Sequence, residues 1–89
     1  MSGPIETTGT IYPNPGEDEI TLEFTLEEPG TGEILVYDAI GNEIAMPGSH
    51  FFNSGTNRIQ LNISQYAAGT YIIKVKTESE IVSFKMIKR

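Results

Sequence analysis

The chain has no cysteine. Neither a disulfide nor a thiolate metal site can staple it, and its fold is indifferent to an oxidising or a reducing space. No apolar run approaches the roughly 20 residues that a bilayer-spanning helix needs. The start of the chain, MSGPIETTG, lacks a basic region followed by an apolar one, so it does not read as a signal peptide. There is one histidine, His50, in a Pro/Gly-rich stretch. With no cysteine to activate and no second histidine for the serines and threonines to share, the inventory for nucleophilic catalysis is thin. No stretch keeps a helical period. The chain reads as non-enzymatic, without a cofactor.

Eighty-nine residues make one domain at most. Charge is unevenly placed. Residues 1–50 carry ten acids and no lysine or arginine; residues 51–89 carry two acids and all six bases. The halves stand at −10 and +4 within the net −6. One reading sets early and late strands side by side, with their exposed charges attracting across the ladder. Another has the basic late strands meeting an anionic partner. Six bases on an acidic domain make a poor phosphate footprint, which argues against nucleic acid.

What is present is alternation of period two, the mark of half-buried strands. Glu19 to Leu26 is the clearest case, with Ile20, Leu22, Phe24 and Leu26 on one face. Gly32 to Ala39 is apolar on both faces and belongs centrally. Gly9 to Tyr12, Glu43 to Met46, Thr56 to Ile63, Gly69 to Thr77 and Ile81 to Lys88 complete seven short strands. Residues 1–8 read as a tether, with Ser2-Gly3-Pro4 a linker or expression scar, and the chain as a fragment of a longer protein. Pro13-Asn14-Pro15-Gly16 must be a turn or an edge exit, because two prolines cannot both donate to a ladder. Gly41 is available for positive φ in the turn after the third strand. Residues 47–50 read as irregular, opening a long crossover that Phe51 and Phe52 pin, with at least one of the two in the core.

Turn signals about every 8–12 residues predict an all-β, antiparallel, immunoglobulin-like β-sandwich with Greek-key connections. A small closed barrel is the alternative. Tyr71, two residues after Gly69, is placed to bond its hydroxyl back across the preceding turn as a tyrosine corner. Glu17-Asp18-Glu19 could reach calcium together with Asn14 or a backbone carbonyl, but the run lacks the spacing of a dedicated loop and reads as a solvated acidic turn. Asn62-Ile63-Ser64 matches the N-glycosylation pattern, which matters only in a eukaryotic secretory setting. Lys74, Lys76, Lys85 and Lys88 line the outer faces of the last two strands, where they read as a solvated face.

Three stretches in order resemble a known family: Ile11-Tyr12-Pro13-Asn14-Pro15; Leu35-Val36-Tyr37-Asp38 with Gly41; and Ile63 through Ala68-Gly69-Thr70-Tyr71 to the closing strand at Lys88. Together they are similar to the type A C-terminal sorting domain of the type IX (Por) secretion system of Bacteroidota, over about residues 9–89. The resemblance implies a seven-stranded sandwich that folds in the periplasm in transit to the outer membrane and cell surface. It implies recognition by the outer-membrane translocon and cutting by a surface sortase in or before residues 1–8, behind an N-terminal cargo domain. It implies motif and recognition residues Pro13, Asn14, Pro15, Gly41, Gly69 and Tyr71, with Lys85 or Lys88 as the late lysine. Tyr66 departs from the family, which usually has a leucine there. A structural or carbohydrate-binding sandwich module is the alternative function.

Overall fold

The computed structural model describes residues 5–89. Eight strands follow in order: β1 (Ile5–Thr8), β2 (Thr10–Tyr12), β3 (Glu19–Leu26), β4 (Gly30–Asp38), β5 (Glu43–Phe52), β6 (Gly55–Asn62), β7 (Gly69–Thr77) and β8 (Glu80–Lys88). They form a five-stranded sheet, ordered β1-β8-β7-β4-β5, and a three-stranded sheet, ordered β2-β3-β6. Every pairing is antiparallel except β1 with β8, and the two sheets do not close into a barrel.

The inward faces are those that alternation predicts. Ile20, Leu22, Phe24 and Leu26 of β3 are buried against Ile34, Val36, Ile73, Val75, Val82, Phe84 and Met86 of the larger sheet. Phe24 ties the layers together. Its ring stands edge-on to Phe52 at 5.5 Å and to Phe84 at 5.8 Å between centroids, and each such pair adds about 0.5–1.5 kcal/mol beyond its burial. The uneven charge is partly resolved by pairing. Glu23 faces Arg58 across β3 and β6, with Nε 3.2 Å from Oε1, and Glu33 is in register with Lys76 across β4 and β7.

Three expectations change. The eighth strand is β1, in residues assigned to a tether. It shows no alternation because Glu6, Thr7 and Thr8 are all exposed, so backbone pairing rather than burial defines it. Residues 47–50 are not irregular but continue β5 as far as Phe52. Pro47 is tolerated there because β5 is an edge strand whose second side has no ladder. The extra residues are taken up by register shifts opposite β4 between Ile34 and Tyr37. The crossover to β6 is then only Asn53-Ser54, capped by the Asn57 amide donating to the Asn53 and Gly55 carbonyls. Phe52 is buried and Phe51 is 66% exposed.

The third change concerns Glu80. It opens β8 with its side chain only 3% exposed, although it falls between the expected strands Gly69 to Thr77 and Ile81 to Lys88. Its carboxylate accepts the Glu27 amide at both oxygens, 3.1 Å each, and the Glu28 amide at 3.3 Å. Those amides leave β3 and have no ladder partner, so the carboxylate caps the β3–β4 turn from the β7–β8 hairpin. Thr77 fixes the hairpin by exchanging hydrogen bonds with the Glu80 backbone. Glu80→Ala is expected to cost about 1–3 kcal/mol, the penalty for stranding buried donors. Glu80→Gln, which keeps one acceptor oxygen, is expected to cost less. Urea denaturation of the two variants measures both.

Candidate functional site

The family-motif residues lie on different elements, and strand register gathers them at one end of the five-stranded sheet. Gly69 pairs with Lys88, Tyr71 with Met86 on one side and with Asp38 on the other, and Asp38 begins the turn that holds Gly41. In that turn the Asp38 carboxylate accepts the Ile40 and Asn42 amides at 3.1 and 2.9 Å, and Gly41 has φ +95°. Gly69 has φ +152°, also in the region that favours glycine. A shallow depression lined by residues from Asp38 to Ile40 and from Ala68 to Tyr71 joins the two turns.

Pro13, Asn14 and Pro15 reach this end from the other sheet. They follow β2, and the peptide bonds preceding both prolines are cis. The Asn14 carboxamide lies along the outer edge of β8. Its Nδ2 donates to the Lys85 carbonyl at 3.1 Å, and its Oδ1 accepts the Ile87 amide at 3.0 Å. The side chain thus presents the donor and acceptor of a peptide unit. Gly16 continues the pairing through its backbone, donating to the Ile87 carbonyl at 2.8 Å and accepting the Arg89 amide at 2.9 Å. A Cβ on Gly16 would stand 2.5 Å from an Ile20 methyl, so this approach needs glycine. Upstream, β1 pairs with residues 80–83, and the Gly9 amide donates to the Ser83 carbonyl at 3.0 Å. One continuous segment therefore covers the outer edge of β8.

Tyr71 is 6% exposed and its hydroxyl donates to the Ala67 carbonyl, the tyrosine corner that the sequence predicts. Tyr66 packs against it with centroids 5.5 Å apart and touches the core. Burial pushes the Tyr66 phenol above its ordinary 10.0, and Tyr71 adds to the shift. The two candidate lysines part company. Lys85 pairs with Ile72 on the outward face of the sheet, whereas Lys88, on the opposite parity, donates to the Arg89 carbonyl at 2.8 Å.

Among the described residues no group of three histidine or acidic side chains could hold a metal ion. Asn14, one of the groups expected to assist Glu17-Asp18-Glu19, has its carboxamide committed to β8. Asn62 Oδ1 is held by the Ser64 amide and hydroxyl. Nε2 of His50 is buried without a hydrogen-bond partner, and the imidazole lies 6.0 Å from the Phe52 ring between centroids. Gly16 and Glu80 escape sequence reading. The signal for Gly16 was its place directly after the two prolines; Glu80 had none.

Asn14→Ala is expected to lower stability by about 0.5–1.5 kcal/mol, because the Lys85 carbonyl and Ile87 amide lose their partner at a position where water can partly replace it. Asn14→Asp sets a carboxylate against the Lys85 carbonyl. Its loss relative to Asn14→Ala should shrink at acid pH, where the protonated acid regains a donor; urea midpoints across pH report this. The raised Tyr66 value favours the neutral phenol in the folded state. Its stabilisation is complete below pH 10 and is lost as pH climbs through the folded value. Thermal melts of Tyr66→Phe should therefore fall less steeply above pH 10 than those of the unaltered chain.

Comparison with the curated proteins finds no match. Over residues 10–89, from the first residue of β2 to the end of the sequence, the chain matches the family described as secretion system C-terminal sorting domain. That span holds the Asn14 clamp, both glycine turns and the tyrosine corner. The chain therefore belongs to this family of type IX secretion sorting domains, whose role is that of a secretion signal rather than a catalyst.

Proposed function

We propose that residues 9–89 act as a folded address label. In this reading the domain folds in the periplasm behind an N-terminal cargo domain and is recognised by the outer-membrane type IX translocon. It is then removed by a surface sortase that cuts in or before residues 1–8. The observation that carries the reading is the family match over all of β2–β8. Those strands number seven, consistent with an immunoglobulin-like sandwich joined by Greek-key crossings, with β1 lying upstream of the matched residues. The packing supports a label rather than a reagent: the histidine faces a core ring, and the motif side chains serve turns and edges.

No helix among the described residues is long and apolar enough to span a membrane. Export on this reading depends on recognition by the type IX machinery. The test is to fuse the whole chain behind a signal peptide and a reporter in a type IX-competent host, beside an isogenic strain lacking the translocon. Surface or extracellular reporter in the first strain alone is expected. Reporter held in the periplasm of both would defeat the proposal.

A further inference from the structure

β1 is held by less than the strands that follow it. It stands at the edge of its sheet and pairs in parallel with β8, Ile5 beside Glu80 and Thr8 beside Ser83. Glu6, Thr7 and Thr8 are exposed. A depression lined by Thr7, Thr8, Glu23 and Thr25 opens between β1 and β3, so the strand is not pressed between the two layers. Backbone pairing holds it, and each of those hydrogen bonds competes with water at an exposed edge.

The attachment changes character at Gly9. Its amide donates to the Ser83 carbonyl at 3.0 Å, and a Cβ there would collide with the Phe84 ring. Backbone therefore lies directly on the core at this point. Beyond it, Ile11 packs against the core, and Asn14 and Gly16 bond β8 at Lys85, Ile87 and Arg89. β1 can leave β8 while every contact from Gly9 onward stays in place.

A peptidase takes its substrate as an extended segment with free backbone groups. A paired strand is cut only from its opened state, at a rate set by how often it opens. We infer that β1 is a detachable strap. Paired with β8, it withholds residues 5–8 from peptidases; released from β8, with the rest of the domain still folded, it presents them as a cutting site. For its use this rests on the sorting reading, in which the cut falls in or before residues 1–8. It adds that release of the strap, not unfolding of the domain, admits a cut in residues 5–8.

Glu6 supplies the probe. It is the only acidic residue before Glu17, so a glutamate-specific endopeptidase cutting after it leaves a fragment of residues 7–89, read by intact mass. On the purified whole chain this cut is expected at least about tenfold more slowly than in a synthetic peptide of residues 1–12, because only the opened strap is cut. Its rate relative to that peptide should hardly change in urea below the unfolding transition, since opening exposes little surface. Cuts at Glu23 and Glu33, inside β3 and β4, should rise steeply as the domain unfolds. Thr8→Cys with Ser83→Cys joins register partners on strands about 4.8 Å apart, in a chain with no other cysteine. Oxidation of that variant should slow the Glu6 cut at least about tenfold, and reduction should restore it.

Cutting after Glu6 as fast as in the peptide would show that β1 is not docked. A Glu6 rate that climbs with urea in step with Glu23 and Glu33 would show that β1 leaves only when the domain unfolds. Either result overturns the strap. The assay needs no export, so its failure leaves the sorting reading standing, whereas an unaltered fusion held in the periplasm defeats that reading and leaves the strap standing.

Discussion

An unpaired strand edge is a row of backbone donors and acceptors that must find partners or water, and the last strand of this chain has such an edge. One side of β8 is paired with β7 along its length. The other side would be open if β7 were its only neighbour. It is closed by the beginning of the chain instead. β1 pairs with residues 80–83, Gly9 bonds Ser83, the Asn14 carboxamide spans Lys85 and Ile87, and Gly16 bonds Ile87 and Arg89. The rest of the molecule depends on this closure. β8 contributes Val82, Phe84 and Met86 to the core, and a β8 that frayed would expose all three.

The closure explains a motif with no chemistry of its own. A proline pair breaks the β2 ladder and carries the chain from the small sheet across to the large one. Between the prolines, only a side chain with a donor and an acceptor on one planar group can stand in for a peptide unit. Asparagine is long enough to reach β8 from this loop. The Pro13-Asn14-Pro15 motif is thus the seam between the sheets at the end that also carries the two glycine turns and the tyrosine corner. A secretion label must hold its shape without disulfides and must not pair with stray strands on the way. A sealed last strand meets both needs.

Much of this was legible in the residues. β3 and β7 could be bounded closely, because each has one buried and one wetter face and the alternation is unbroken. Tyr71 was legible from its distance to Gly69. The strands that were missed are those whose reason for existing lies elsewhere in the chain. β1 buries none of its described side chains and pairs with residues more than seventy positions away. The far half of β5 contains a proline and a glycine, and β4 alone makes it a strand. Glu80 looked like a turn residue, because the amides it satisfies come from the β3–β4 turn. The motif positions could be taken from resemblance, but what Asn14 binds could not, since no local pattern links it to Lys85 and Ile87.

The central claim is that Asn14 and Gly16 seal the outer edge of β8. Native-state hydrogen exchange of the Ile87 amide tests it most directly, because that proton faces away from β7 and has Asn14 Oδ1 as its partner. If the seal holds in solution, Ile87 should exchange nearly as slowly as the Ile73 and Val75 amides of β7, opening only when the domain unfolds globally. Exchange of Ile87 at the rate of an open chain, with Ile73 and Val75 still protected, would show that the edge is unsealed and would contradict the account.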